Sequence, residues 1–159
     1  MFRDETARRG LAAHLAVAQR LVELGYEVLE PFGDHLRYDL AYYQPEERRL
    51  LSKIPAELVR IQCKTGRLLE GRSISFNAFN VSGGRRAKRG YQGQVEYFGV
   101  YCAELRKVYL IPVSDVPPNE VRLRLKSAGV FRGNRFTSKR KEWTEEDRGS
   151  YLWAEDYEL

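Results

Sequence analysis

Cysteine, histidine and methionine are scarce in this chain of 159 residues, numbering two, two and one. Two Cys and two His without paired spacing exclude a structural zinc site. Cys63 and Cys102 each fall in an apolar, strand-like run, where a reduced thiol packs as a small hydrophobe. A disulfide scaffold is therefore excluded, and a cytoplasmic, intracellular setting is expected. No run approaches the roughly 18 apolar residues of a membrane span, and the N-terminus lacks the apolar core of a signal peptide. Internal repeats and domain linkers are also missing. A single domain over 1–159 is expected, because a chain of this size buries roughly 70% of its unfolded surface.

Charge, by contrast, is abundant and unevenly placed. The formal net charge is +5, yet 142–159 holds seven acids against Arg148 and so carries −6, leaving +11 on the rest. A field of that sign attracts polyphosphate. The acidic tail at 142–159 reads either as a solvated terminus or as a segment that packs on a basic face of its own or a neighbouring subunit.

Residues 4–24 have helix-forming composition, with Asp4 and Thr6 as candidate caps and Gly25 as a stop. The apolar stripe runs through Leu11, Val17, Ala18, Leu21 and Leu24, and His14 falls inside it, so this imidazole is predicted to face the protein. Residues 26–30 and 37–43 read as two strands of a hairpin about the turn Pro31-Phe32-Gly33-Asp34. The polar stretch 44–57 reads as an exposed loop with one helical turn. A short strand at 73–76 follows, then a basic loop at 80–94 that is rich in Gly, Asn and Ser and expected to be mobile. Strands at 95–102 and 107–113 form a second hairpin, and 121–126 alternates as a last strand. The fold class is α/β, sheet-heavy, with a largely antiparallel start.

The chemistry concentrates in Leu58-Val59-Arg60-Ile61-Gln62-Cys63-Lys64-Thr65. Alternation puts Val59, Ile61 and Cys63 on one face and Arg60, Gln62 and Lys64 on the other. Gln62 and Lys64 stand roughly 6.6 Å apart along the strand, and a neighbouring strand roughly 4.8 Å away would bring Asp39 to both. Asp39, the Gln62 side-chain carbonyl and the Cys63 main-chain carbonyl offer hard oxygens of the kind Mg²⁺ takes, while Lys64 can position water and offset charge on a phosphorane. The competing reading is one solvated sheet face. Asp39 weighs against it, since Asp is depleted from strands.

The order and spacing of Arg9-Gly10-Leu11-Ala12-Ala13, Gly25-Tyr26, Pro31-Phe32-Gly33-Asp34, Arg37-Tyr38-Asp39-Leu40, Ile61-Gln62-Cys63-Lys64-Thr65-Gly66-Arg67, Tyr97-Phe98-Gly99-Val100-Tyr101 and Val108-Tyr109-Leu110-Ile111-Pro112-Val113 resembles the PD-(D/E)XK nuclease superfamily. Within it, the resemblance is to the branch that includes group I intron homing endonucleases, where Gln replaces the acid of the (D/E)XK pair. It implies a restriction-endonuclease-like core with a mixed sheet and an N-terminal helix, Mg²⁺ as cofactor with Mn²⁺ able to substitute, and Asp39, Gln62 and Lys64 as the catalytic set. One position departs. The family usually places Glu four residues after the glycine matching Gly10, and here that position is His14. His14 reads either as a metal ligand or base, or as a core histidine held by a hydrogen bond. Glu5 and Asp4 lack the spacing to replace the acid, and Glu96 reads as structural.

The expected partner is double-stranded DNA, gripped by Arg60, Arg67, Arg72, Arg85, Arg86, Lys88 and Arg89. Asn77, Asn80, Gln92 and Gln94 read either as base-edge contacts or as turn residues. Phe76, Phe79 and Tyr91 read as minor-core anchors. Cutting a duplex requires two active sites, so a homodimer or homotetramer is expected. The leading reading is a metal-dependent DNA endonuclease. The alternatives are a DNA-binding protein that kept the fold and lost catalysis, and a junction-resolving nuclease.

Overall fold

The computed structural model describes residues 4–33, 35–49, 52–81, 88–116, 119–125 and 152–159. Asp4 caps α1 (Glu5–Glu23), its Oδ1 accepting the N–H of Thr6 at 2.8 Å and of Ala7 at 3.3 Å. Gly25, at φ +88°, closes the helix, with its N–H on the Val22 carbonyl and the Tyr26 N–H on the Leu21 carbonyl. The buried strip is Ala13, Val17 and Leu21, narrower than the sequence stripe. Leu11 and Leu24 are each 45% exposed. Leu11 lies about 120° around the helix from Val17, and Leu24 falls beyond the last turn.

The strands are β1 (Glu27–Leu29), β2 (Leu40–Gln44), β3 (Glu47–Arg49), β4 (Ser52–Ile54), β5 (Glu57–Leu69), β6 (Ser73–Asn77), β7 (Asn80–Val81), β8 (Lys88–Arg89), β9 (Tyr97–Cys102), β10 (Lys107–Pro112) and β11 (Glu120–Arg124). Both hairpins read from the sequence are present, β1 with β2 and β9 with β10. The 44–57 stretch differs from expectation: instead of a helical turn it holds the antiparallel pair β3–β4. Its polar residues give no apolar alternation to read, yet pairing still satisfies the backbone. Part of the basic loop is likewise strand, β7 with β8, and residues 82–87 lie outside the described residues.

β5 organises the sheet. It pairs antiparallel with β2 over Glu57 to Ile61 and parallel with β9 over Ile61 to Gly66, then turns back antiparallel into β6. The result is a mixed sheet that branches at β5. One core lies under α1, where Val17 and Leu21 meet Leu40, Tyr42, Val59, Ile61 and Val108. The other lies on the opposite face, where Ile74, Phe76, Val121 and Leu123 of β6 and β11 cover Phe98, Val100, Tyr109 and Ile111. Phe76 and Tyr91 are buried there, as core anchors should be.

Residues 152–159 complete this second layer instead of standing free. Trp153 and Ala154 are buried, Leu110 N–H reaches the Tyr157 carbonyl, Leu159 N–H reaches the Val108 carbonyl, and Glu158 pairs with Lys107 at 2.7 Å. The rest of the acidic tail, 142–151, lies outside the described residues.

Two glycines permit the close layers. A Cβ on Gly99 would stand 2.7 Å from Val17 Cγ1 and 3.0 Å from Ile61 Cγ2, and one on Gly66 would stand 2.8 Å from Ile74 Cγ2. Gly99→Ala should therefore push α1 off the sheet and cost about 1–3 kcal/mol. Urea unfolding checks this, and an unchanged midpoint would show that α1 does not rest on that contact.

Candidate active site

The site lies where the β2 ladder stops. The last pair is Leu40 with Ile61, and one step further Asp39 sends its N–H to the Ile61 carbonyl at 2.8 Å. The next free amide on β5, that of Cys63, finds no β2 residue and donates to Asp39 Oδ2 at 2.7 Å. Gln62 Nε2 donates to the same oxygen. The amide nitrogen of Gln62 is thereby committed to Asp39, which leaves its carbonyl oxygen and Asp39 Oδ1 for another partner. Burial raises the Asp39 pKa, opposed by the Cys63 N–H and by the nearby His14 and Lys64.

Lys64 points to the same side as Gln62. Its Nζ donates to the Tyr91 hydroxyl at 3.2 Å and stands 4.6 Å from the centre of that ring. Tyr91 is itself locked edge-on against Phe98, ring centroids 5.5 Å apart. Burial, with the neighbouring Arg37 charge acting the same way, brings the Lys64 pKa down to about 8, while Asp39 pulls in the opposite direction. Cys63 serves through its backbone: its thiol packs with the core beneath α1, and burial pushes its pKa up.

His14 reaches this region from α1. It is half-buried, and its Nε2 donates to Glu30 Oε1 at 2.9 Å. His14, Glu30, Pro31, Gly33, Leu36, Tyr38 and Asp39 line one cleft of about 230 Å³. Glu30 is thus a second carboxylate beside Asp39, brought by the end of β1 instead of by the helix. Sequence spacing gives no sign of it, since it is paired across a turn with a residue on another element.

A family profile described as PD-(D/E)XK endonuclease matches residues 4–146. The chain belongs to that family. Among solved structures it is similar to a bacterial homing endonuclease, I-Ssp6803I, with a TM-score of 0.60 at 18% identity, covering 98% of this chain and 89% of that one. A search of curated proteins gave no match. The PD-(D/E)XK fold accounts for the mixed sheet and the N-terminal helix.

The residues expected to grip DNA fall in different places. Arg60 is held by Glu96, with its guanidinium at 2.6 Å and its backbone N–H at 2.6 Å, so Glu96 has a structural task and matches that charge in place. Arg67 is exposed and lines a cleft of about 360 Å³ with Arg8, Arg9 and Thr65, on the α1 side of β5. Arg72 sits in the turn between β5 and β6, 3.9 Å from Glu70. Lys88 and Arg89 form β8, whereas Arg85 and Arg86 lie outside the described residues. Gln94 is engaged internally, accepting from Arg37 Nε at 2.5 Å, and Gln92 donates to the Val116 carbonyl at 3.4 Å. No helix among the described residues is long and apolar enough to cross a membrane.

The depressed Lys64 pKa has a consequence for stability. A folded pKa of about 8 against the ordinary 10.5 means that the unfolded chain binds the extra proton between those values. The cost of burying the cation is therefore full below about pH 8 and fades as pH rises towards 10.5. Lys64→Met should stabilise the fold by about 1–3 kcal/mol at pH 7 relative to wild type, with the gain shrinking above pH 8. Denaturant melts of both proteins at pH 7 and pH 10 test this; a variant no more stable at pH 7 would count against the buried, uncompensated ammonium.

Proposed function

We propose that this chain is a divalent-metal-dependent DNA endonuclease that hydrolyses phosphodiester bonds, of the homing type or related to it. The observation that carries the reading is the convergence of Asp39, Gln62 and Lys64 at one ladder end, with the lysine nitrogen resting on an aromatic ring and not on a carboxylate. A lysine buried at a cost and placed beside two oxygen donors is poised for an anion.

The donor set suits Mg²⁺ or Mn²⁺. Asp39 Oδ1 and the Gln62 carbonyl are hard oxygens left over after the pair's own hydrogen bond, and the Cys63 main-chain carbonyl is adjacent. Among the described residues no group of three or more His, Cys, Asp and Glu is placed to hold a metal ion, so the protein would supply few ligands. Few protein ligands and several waters is the manner in which Mg²⁺ binds near phosphates. When bound, the ion supplies Lewis acidity at the phosphoryl group. The rest falls to the protein. Asp39 and Gln62 would hold the ion, and their mutual bond fixes the angle at which they present their oxygens. The Lys64 ammonium orients the attacking water and offsets the negative charge that builds on the phosphorane oxygens. His14 and Glu30 line a cleft with Asp39, so that Glu30 would add negative charge on that side of the site. We take the substrate to be duplex DNA, in keeping with the endonuclease family, and cutting both strands calls for an assembly of at least two copies.

With Mg²⁺ or Mn²⁺ the protein should nick and linearise supercoiled plasmid, EDTA should abolish this, and Lys64→Ala and Asp39→Asn should each slow cleavage at least 100-fold while still binding DNA. Salt-sensitive binding with no cleavage under any divalent ion would favour the catalytically silent alternative. Equal nicking by the Lys64 variant would remove the lysine from the mechanism.

A further inference from the structure

Arg37 is the part of the Arg37-Tyr38-Asp39-Leu40 motif that the reading above leaves without a task. Its Nε donates to Gln94 Oε1 at 2.5 Å, and its guanidinium carbon lies 5.2 Å from the centre of the Tyr91 ring. Lys64 Nζ lies 4.6 Å from the same centre and bonds the same tyrosine's hydroxyl. One buried aromatic ring thus holds two cations, one from β5 and one from the segment before β2, close enough for the Arg37 charge to be felt at Lys64.

Two like charges repel, and among the described residues no carboxylate forms an ion pair with either. The ring offsets only part of that cost, because a cation–π contact contributes on the order of 0.5–2 kcal/mol. The arrangement is nonetheless well fixed: Gln94 engages Arg37 at Nε, and Phe98 locks Tyr91 edge-on. With Nε occupied, the two terminal nitrogens of the guanidinium have no hydrogen bond to any described residue and can present a fork. A forked guanidinium and a point ammonium, held on one ring within electrostatic reach of Asp39, complement a tetrahedral anion with two free oxygens.

We propose that Arg37 is a second substrate-binding cation of this active site, its guanidinium fork gripping a non-bridging oxygen of the scissile phosphate while Lys64 faces the attacking water, with Tyr91 as the post that holds both. The proposal rests on the endonuclease reading. It assigns Tyr91 a positioning role, since that ring touches the two cations and not the phosphate.

The experiment compares wild type, Arg37→Gln, Arg37→Lys and Lys64→Ala on one plasmid-derived duplex, measuring single-turnover cleavage in Mg²⁺ and DNA affinity against salt in Ca²⁺. Thermal melts confirm that each variant is folded. Arg37→Gln is expected to slow cleavage at least 30-fold and to lower the salt slope by about one, the amount for one lost phosphate contact. Arg37→Lys should restore the slope but not the rate, because the charge returns without the fork. If Lys64→Ala fails to cut while Arg37→Gln cuts and binds as wild type does, the Arg37 proposal falls and the endonuclease reading stands. A wild-type protein that cleaves with no divalent ion overturns both. Should Arg37→Gln fold poorly, Arg37→Lys alone decides, a wild-type rate from it ruling out the fork.

Discussion

Asp39 Oδ2 accepting the N–H of Cys63 is the contact on which the site depends. β5 outruns its partner β2 at Ile61, and a strand edge that loses its partner leaves amides to satisfy. Asp39 takes over by side chain what the ladder would have done by backbone, and in doing so its carboxylate is pinned beside Gln62. A shift of one residue in the β2–β5 register would turn Asp39 away and put Tyr38 or Leu40 there instead. The geometry of the acid therefore follows from the same pairing that sets Leu40, Tyr42, Val59 and Ile61 beneath α1.

Around that point the protein treats positive charge in two ways. Arg60, on the same face of β5, is met by a bidentate carboxylate and is electrostatically spent. Lys64, four residues later, is offered an aromatic ring and a hydroxyl, and Arg37 is offered the same ring. The contrast is local: Arg60 is matched by a carboxylate, while Lys64 and Arg37 have no ion pair among the described residues. Burial makes such a charge expensive at rest, because a low-dielectric surrounding replaces water.

Much of this was open to inspection in the sequence, for physical reasons that are easy to name. Asp4 and Gly25 bracket α1 because caps act within a turn of the helix they end. The two-residue period of 58–65 sorts Gln62 and Lys64 from Ile61 and Cys63, since a pleat leaves no other choice, whereas Asp39 meets β5 only because the chain returns beside β2 after the β3–β4 pair, which no local pattern encodes. What stayed hidden depends on contacts that no local pattern encodes. The His14–Glu30 pair joins a helix to the end of β1. Tyr91 reads as a core anchor, yet its place between Arg37 and Lys64 follows from how the chain returns after β8. The β3–β4 pair carries no apolar alternation, and the branch at Gly66 is a steric allowance that shows only once Ile74 and Val100 are in place.

The segment 152–159 bears on how copies of this chain can meet. It lies along β10 through Leu110 and Leu159, and it also touches β11, where the Arg124 N–H takes the Leu152 carbonyl and Arg124 bridges Trp153. One short stretch thereby occupies hydrogen-bonding groups on two strands that would otherwise lie open at the rim, and β1 at the other end offers only three residues. Strand addition, the cheapest route by which one sheet recruits another, is closed or poorly served at these rims. At Val108, Leu110 and Arg124, then, the chain has already supplied from its own 152–159 segment the partner that a foreign strand would have to offer.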